Sequence, residues 1–204
     1  GLAADHLSLY QLTIEENTGF FGAWKRGALV LPDADFAASL YELTQERCDA
    51  AGLPAYEISN HAAPGAECRH NLTYWRYGEY LGIGPGAHGR IREGETLRAT
   101  RQLRKPETWL EQVTATGAGS EADEPVSATE QVEEALMMGL RLAEGVSLAR
   151  LQWLCDQPLR QRLPPDRVRR LVDGGFLVLE GVRLRATEAG RAVLNALLAE
   201  LLAA

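Results

Sequence analysis

The residues of this chain that could do chemistry are concentrated between positions 55 and 90. His70, Asn71, Tyr74 and Trp75 lie close together there, and a glycine-rich turn follows at 82–88. An imidazole can ligate iron, and Tyr and Trp rings can stack on or border a flat aromatic macrocycle. Polar groups of these types also occur in packed loops, where they find ordinary hydrogen-bond partners. The residue types therefore leave two interpretations open: a ligand site, or a loop folded over the end of a sheet.

The glycine-rich turn contains Gly82, Gly84, Gly86, Ala87 and His88. It presents backbone with little side-chain cover after the apolar pair at 80–81, at a predicted strand end, where α/β folds bind ligands. It lacks the Gly-Lys-Ser/Thr ending of a phosphate-binding loop and is not a GxGxxG segment that opens a helix. Phosphate or dinucleotide binding is thus unsupported, and a tight turn without a ligand remains an alternative.

The elements that must position these residues begin with a strand predicted at His6–Ile14, where apolar and polar residues alternate. Residues 33–52 predict a helix that ends at Gly52, and Ala55–Ser59 predicts a second strand. Strand, helix and strand in this order predict a βαβ unit with a parallel sheet. Leu81–Ile91 is a third extended candidate, and we expect 70–75 to form a loop.

The second part of the chain has a different character. Residues 1–126 carry 11 Lys and Arg against 18 Asp and Glu, whereas residues 127–204 carry 10 of each. The stretch 114–126 is rich in small and acidic residues, so we predict a linker there, with a domain of residues 1–113 before it and another of residues 127–204 after it. Helices are predicted at 127–143, 147–154, 164–175 and 188–203, with a β-hairpin at 176–187 that turns near Glu180 and Gly181. This order is that of a winged-helix-like α+β domain.

Composition narrows the class of protein. The chain has 204 residues, 46% hydrophobic and 24% charged, with a net charge of −7. No apolar run is long enough to span a bilayer and no signal-peptide pattern opens the chain, so we expect a cytoplasmic protein. Cys48, Cys68 and Cys155 are far apart and odd in number, which argues against a disulfide framework and a metal-ligand motif.

The acidic net charge disfavours nucleic-acid binding. Five arginines nevertheless lie within eleven residues, partly on the third predicted helix of the C-terminal domain, which would enter the major groove in a DNA-binding winged helix. They are Arg160, Arg162, Arg167, Arg169 and Arg170. A solvated or interdomain face is the alternative, and we recognise no Ser/His/Asp or paired-carboxylate catalytic set.

Several motifs resemble one family when they are taken together. YEISN at 56–60, HNLTYW at 70–75 and GIGPGAH at 82–88, together with HLSLYQLTIE near the start, are similar to the radical-SAM haem chaperone family (HemW-like). This family is related to the oxygen-independent coproporphyrinogen III oxidases. The tail at 127–204 resembles the C-terminal domain of the same family, so the resemblance covers essentially the whole chain.

The resemblance implies an α/β fold: the C-terminal part of a partial (β/α) radical-SAM barrel, followed by the winged-helix-like domain. It implies a [4Fe-4S] cluster and S-adenosyl-L-methionine (SAM) in full-length members. The CxxxCxxC loop that binds the cluster is absent, and the spacing of the three cysteines cannot replace it. The resemblance also makes Thr13 and the turn residues Gly82, Gly84, Gly86, Ala87 and His88 SAM-proximal candidates.

By the same resemblance, His70, Asn71, Tyr74 and Trp75 are the haem-binding candidates, and Glu57 and Asn60 orient the loop that follows them. Cys68 is assigned no role. The leading hypothesis is part of a haem chaperone that binds haem and transfers it to a recipient protein. The first alternative is part of a coproporphyrinogen III oxidase of porphyrin biosynthesis, and the second is a nucleic-acid or protein-binding C-terminal module. The expected partners are a haem recipient and the missing N-terminal half of the barrel, and without that half we expect no enzymatic activity and some self-association.

Overall fold

The computed structural model describes residues 4–203, and the extreme ends of the predicted domains, at residues 1–3 and 204, lie outside this range. The chain divides into two compact units, residues 1–68 and residues 69–204. Each unit is α/β in content. No helix in the described range is both long and apolar enough to cross a membrane.

Unit 1 is built around one long helix. Its elements are β1 (His6–Ser8), α1 (Gly19–Lys25), α2 (Ala34–Ala50) and β2 (Asn60–Ala62). The predicted helix at 33–52 is confirmed, because the Asp33 side chain accepts a hydrogen bond from the Phe36 N–H and so caps the N-terminus of α2.

The strand predictions in unit 1 need correction. β1 stops at Ser8 rather than Ile14, and β2 lies at 60–62 rather than 55–59. The two strands pair antiparallel, with His6 opposite Ala62, so the parallel pairing of a βαβ unit is wrong here. The physical reason is the turn at 57–60, where the Glu57 carboxylate accepts hydrogen bonds from the Ser59 N–H at 3.0 Å and from the Asn60 side chain. Such local side-chain bonds compete with an extended ladder.

Unit 2 begins with a short helix, a three-stranded sheet and a helix that crosses between two of its strands. In chain order these are α3 (Arg69–Trp75), β3 (His88–Glu93), β4 (Thr96–Gln102), α4 (Pro106–Thr116) and β5 (Ser120–Pro125). The strands pair antiparallel in the order β3-β4-β5. Segment 114–126, which we predicted as a linker, therefore contains the end of α4 and an edge strand of this sheet.

The rest of unit 2 is a helical core with a small sheet. Its elements are α5 (Ala128–Gly139), β6 (Val146–Ser147), α6 (Leu148–Leu154), α7 (Leu159–Arg162), α8 (Pro165–Asp173), β7 (Leu177–Glu180), β8 (Arg183–Ala186), α9 (Glu188–Ala192) and α10 (Leu194–Leu202). Fully buried leucines fill the centre, among them Leu136, Leu140, Leu151, Leu184 and Leu201. The predicted helices and the hairpin are confirmed, except that the closing helix is broken at Val193.

Candidate functional site

The HNLTYW segment is a helix and not the loop that we expected. In α3 the spacing of the candidate residues determines which of them share a face, because residues four apart lie on one face of a helix. His70 and Tyr74 form one such pair, and their ring centroids are 4.7 Å apart at 80°. Asn71 and Trp75 form a second pair at the same spacing on the adjacent face. The four candidates therefore occupy two neighbouring stripes of α3.

A third ring extends the first stripe. Tyr80, which follows α3 in the chain, places its ring centroid 4.3 Å from that of Tyr74, at an angle of 62°. The rings of His70, Tyr74 and Tyr80 thus make a continuous series, called here the ring cluster. His70 is exposed and the two tyrosines are partly buried. Sequence reasoning did not include Tyr80 in the site, although its position two residues before Gly82 was a usable signal.

Trp75 has a different environment. The guanidinium carbon of Arg141 lies 5.7 Å from the indole ring centroid, at the edge of cation–π range. The indole N–H is buried, and no acceptor for it exists among residues 4–203. Leaving such a donor unsatisfied costs about 1–3 kcal/mol. The structure therefore holds one orphaned polar atom on α3 that an added acceptor could satisfy.

The glycine-rich turn is explained largely by the chain itself. A Cβ at Gly82 would collide with the backbone of His88, and Gly84 and Gly86 have φ values of +99° and +73°. Only glycine adopts these conformations without strain. The Gly86 N–H donates to the Leu103 carbonyl at 2.8 Å, which closes the turn onto the end of β4. The glycines are thus required by the fold whether or not SAM approaches them.

Around that turn, apolar side chains face solvent. Leu81 is 69% exposed and Ile83 is 84% exposed. His88, the first residue of β3, is exposed as well. Exposed apolar residues that follow directly on the ring cluster in the chain are typical of a surface that meets another molecule.

The ring cluster is held firmly to the rest of unit 2. Tyr80 and Arg90 exchange backbone hydrogen bonds of 2.8 and 2.9 Å. Tyr77 has a left-handed backbone with φ of +52° and donates its hydroxyl to Glu134 on α5 at 2.6 Å. Burial, and then the bond to Glu134, raise the pKa of the Tyr77 hydroxyl well above its usual range. Sequence reasoning did not find Tyr77, since positive φ at a tyrosine has no sequence signal.

Thr13 lies in unit 1 and not at a strand end. Because β1 stops at Ser8, Thr13 is an exposed residue of the loop between β1 and α1. Glu57 and Asn60, also in unit 1, are buried and joined by a hydrogen bond, and Asn60 further accepts from the Ser8 hydroxyl. These two residues order the turn that leads into β2.

The cysteines do not fit an iron–sulfur cluster. Cys48 is buried on α2, Cys68 directly precedes α3 and Cys155 ends α6. No three His, Cys, Asp or Glu side chains within residues 4–203 are gathered as a metal would need. The donor set required by a [4Fe-4S] cluster, three converging thiolates, is therefore not assembled by this part of the chain.

Comparison with known proteins agrees with the motifs. Residues 126–193 match the family described as the HemN C-terminal domain. The chain is 40% identical over 97% of its length to the mitochondrial radical S-adenosyl methionine domain-containing protein 1 of Bos taurus, covering 46% of that protein. It is 37% identical over 95% of its length to the heme chaperone HemW of Escherichia coli K12, covering 48% of it. This chain belongs to the HemW/HemN-like radical-SAM family. It corresponds to the C-terminal part of those proteins.

The fold of this HemW/HemN-like chain is that of a solved relative. The coproporphyrinogen III oxidase HemN from Escherichia coli, a radical-SAM enzyme, superposes with a TM-score of 0.71 over 99% of this chain and 49% of its own, at 14% identity. At that identity the likeness concerns the fold alone. The chain spans about half the length of the relatives it matches. The similarity to a heme chaperone HemW of Mycobacterium tuberculosis covers 97% of the chain, so it includes the α3 segment as well as the C-terminal domain.

Proposed function

We propose that this chain is part of a haem chaperone and that α3 carries its haem-binding surface. The observation that carries the proposal is the ring cluster: an exposed imidazole packed edge-on against Tyr74, with Tyr80 behind it and the exposed apolar side chains of Leu81 and Ile83 next in the chain. Haem offers a flat apolar face and an iron that accepts imidazole nitrogen. Relatives named heme chaperone HemW support this choice.

In this proposal His70 supplies the axial nitrogen, and Tyr74 and Tyr80 hold the imidazole from behind. Asn71 and Trp75, on the second stripe of α3, border the macrocycle. Transfer to a recipient protein needs an open site, and the exposure of His70 is compatible with that step. The recipient is a partner that we propose from the family and not from a surface of this chain.

A haem titration followed by Soret absorbance tests the proposal. His70→Ala is expected to shift the Soret band and to weaken binding on the order of tenfold or more, the loss of one axial ligand bond. His88→Ala is the matched control, because His88 is also exposed but lies outside the ring cluster. Equal affinity and equal spectra for wild type and His70→Ala would overturn the assignment of His70.

We further propose the finer architecture. Residues 1–113 correspond to the C-terminal part of a (β/α) barrel, and residues 127–204 form a winged-helix-like domain. The match to the HemN C-terminal domain begins at residue 126, and α6, α7 and α8 followed by the β7–β8 hairpin have the order of a winged helix. Exposed apolar residues of unit 1, such as Leu9, Tyr10 and Leu12, would contact the N-terminal half of the barrel.

That N-terminal half would also provide the [4Fe-4S] cluster and most of the SAM site. Thr13 and the turn at 82–88 are the residues of this chain that we place near SAM. We expect this chain alone to be inactive, because its cysteines do not assemble a cluster site. A cytoplasmic location stays a prediction, and the names of several relatives include the word mitochondrial.

The first alternative is a coproporphyrinogen III oxidase, favoured by the fold similarity to HemN. Porphyrinogen turnover by a full-length, cluster-reconstituted protein containing this chain would establish it. Haem transfer without such turnover would favour the chaperone.

The second alternative is a nucleic-acid or protein-binding C-terminal domain. Three of the five clustered arginines have internal partners: Arg169 bonds Asp166 and Arg170 bonds Glu200, both at 2.9 Å, and Arg167 donates to the carbonyls of Leu201 and Ala203. This supports a structural role and disfavours nucleic acid. A duplex shifted by the chain at physiological salt, with steep salt dependence, would reverse that view.

A further inference from the structure

Two arginines of unit 2 converge on one exposed tryptophan, away from the ring cluster. The guanidinium carbon of Arg150 lies 4.3 Å from the ring centroid of Trp153, and that of Arg92 lies 4.8 Å from it. Arg150 and Trp153 belong to α6, whereas Arg92 belongs to β3. Trp153 is 58% exposed despite its size. We call these three residues the Arg–Trp–Arg patch.

The positive charges of the patch are not neutralised by ion pairs. Within residues 4–203, other arginines form ion pairs, for example Arg90 with Glu134, whereas neither Arg92 nor Arg150 forms one. Arg92 donates to the Glu95 carbonyl at 2.8 Å and to the Gln131 side chain at 3.2 Å, and both acceptors are neutral. Among the described residues, the Arg150 guanidinium donates one hydrogen bond, a long one of 3.5 Å to the Tyr77 carbonyl.

The two guanidiniums also act on one another. Burial and then the charge of Arg92 lower the pKa of Arg150, and Glu79 offsets this in part. Glu79 is exposed, and its carboxylate is engaged by the Arg92 backbone N–H at 2.8 Å. Two like charges brought together on one indole are destabilising unless an anion joins them. Contacts with Trp153 hold both guanidinium groups in place before an anion binds, and the hydrogen bond to Gln131 also holds that of Arg92.

The composition of the patch points to a protein partner. Tryptophan and arginine are the residues most enriched among those that dominate protein interfaces, and a planar guanidinium binds a carboxylate through two parallel hydrogen bonds. We propose that the Arg–Trp–Arg patch is a docking site for an acidic segment of a partner protein, with a carboxylate bound by Arg92 and Arg150 and an apolar side chain packed on Trp153. This inference is independent of haem binding.

Fluorine NMR of the chain labelled with fluorotryptophan tests it, with the Trp153 resonance assigned from Trp153→Phe. The probe is a short capped peptide of Glu, Phe and Asp, compared with its Gln and Asn counterpart. We expect the acidic peptide to shift the Trp153 signal in a saturable way that weakens with added salt. The double variant Arg92→Gln with Arg150→Gln should bind on the order of tenfold or more weakly.

The double variant Arg160→Gln with Arg169→Gln is the matched control, since it removes the same two charges from exposed arginines of α7 and α8. Its affinity should equal that of the wild type, and amide spectra of all variants report whether the fold is kept. Equal shifts with the neutral peptide, or unchanged affinity in the double variant, would overturn the proposal. Binding of phenyl phosphate without binding of the acidic peptide would overturn the choice of a polypeptide partner.

Discussion

Arg90 and Glu134 form a two-pronged ion pair that joins β3 to α5. The Nη2 to Oε1 distance is 2.7 Å and the Nε to Oε2 distance is 3.1 Å. Both side chains are less than a quarter exposed. Burial alone would raise the pKa of the Glu134 carboxyl, but the hydrogen bonds from Arg90 and Tyr77 outweigh it and hold that pKa below its usual value. The pair therefore fastens the strand beside the ring cluster to the helical core.

Replacing Glu134 by Gln should loosen this connection. The change leaves the Arg90 charge partly buried without its counter-ion, so we expect the free energy of unfolding to fall by about 1–3 kcal/mol. Urea denaturation measures it. Glu133→Gln is the control, because Glu133 is exposed and adjacent, and it should change the free energy of unfolding by less than about 0.5 kcal/mol. Equal effects of the two substitutions would show that the ion pair contributes nothing specific.

His61 should make unit 1 sensitive to mild acid. Its side chain is fully buried, and neither ring nitrogen forms a hydrogen bond of good geometry with residues 4–203. The Leu53 backbone nevertheless lies close enough to the ring to raise the pKa of His61 in part. Burial lowers the pKa of His61 below the ordinary value of 6.5, and Asp49 and Glu57 oppose this only in part.

The unfolded chain therefore binds a proton at His61 before the folded chain does. The free energy of unfolding should be greatest above pH 6.5 and should fall as the pH drops below that value towards the folded pKa. Urea titrations between pH 7.5 and pH 5 measure the slope, and His61→Phe should flatten it. His88→Gln, at an exposed histidine, should leave the slope unchanged. A wild-type slope that persists in His61→Phe would assign the acid sensitivity to another group.

Gly82→Ala should damage the glycine-rich turn. A Cβ at this position would occupy the space of the His88 backbone, so the turn must open, and we expect a loss of stability of about 1–3 kcal/mol. The thermal unfolding midpoint reports this loss. Gly19→Ala is the control, because no atom lies within 4 Å of a Cβ built there. Full tolerance of alanine at Gly82 would mean that the turn closes differently from the structure described.

The three cysteines should react with an alkylating reagent in a fixed order. Burial and then the Asp49 charge raise the pKa of the Cys48 thiol, and burial and then the Asp156 charge raise that of Cys155. Thiolate is the reactive form, and Cys48 is also only 7% exposed. Iodoacetamide labelling followed by mass spectrometry should modify Cys68 first and Cys48 last. Rapid labelling of Cys48 in the folded chain would contradict its burial.

Local signals in the sequence were sufficient for the helical half of the fold. The capping box of Ser127 and Glu130, the prolines at the start of α8 and Gly181 in the hairpin turn each act within a few residues, so their elements appear where predicted. The strands of unit 1 were harder, because β1 and β2 pair across about fifty residues and no local pattern states the direction of pairing. The same limit hid β5 inside a segment that reads as a linker.

The sequence by itself determined the family, through motifs whose order and spacing are specific, and it identified the stretch from His70 to His88. Only the tertiary structure decided how those residues meet. It places the candidate residues of HNLTYW on two stripes of one helix and adds Tyr80 to the ring cluster. It also shows that position 82 must be glycine because the His88 backbone occupies the space of a Cβ there. It also brings Arg92 of β3 to the α6 residues Arg150 and Trp153. Contacts of this kind join residues far apart in the chain, and their geometry arises from packing that no local pattern encodes.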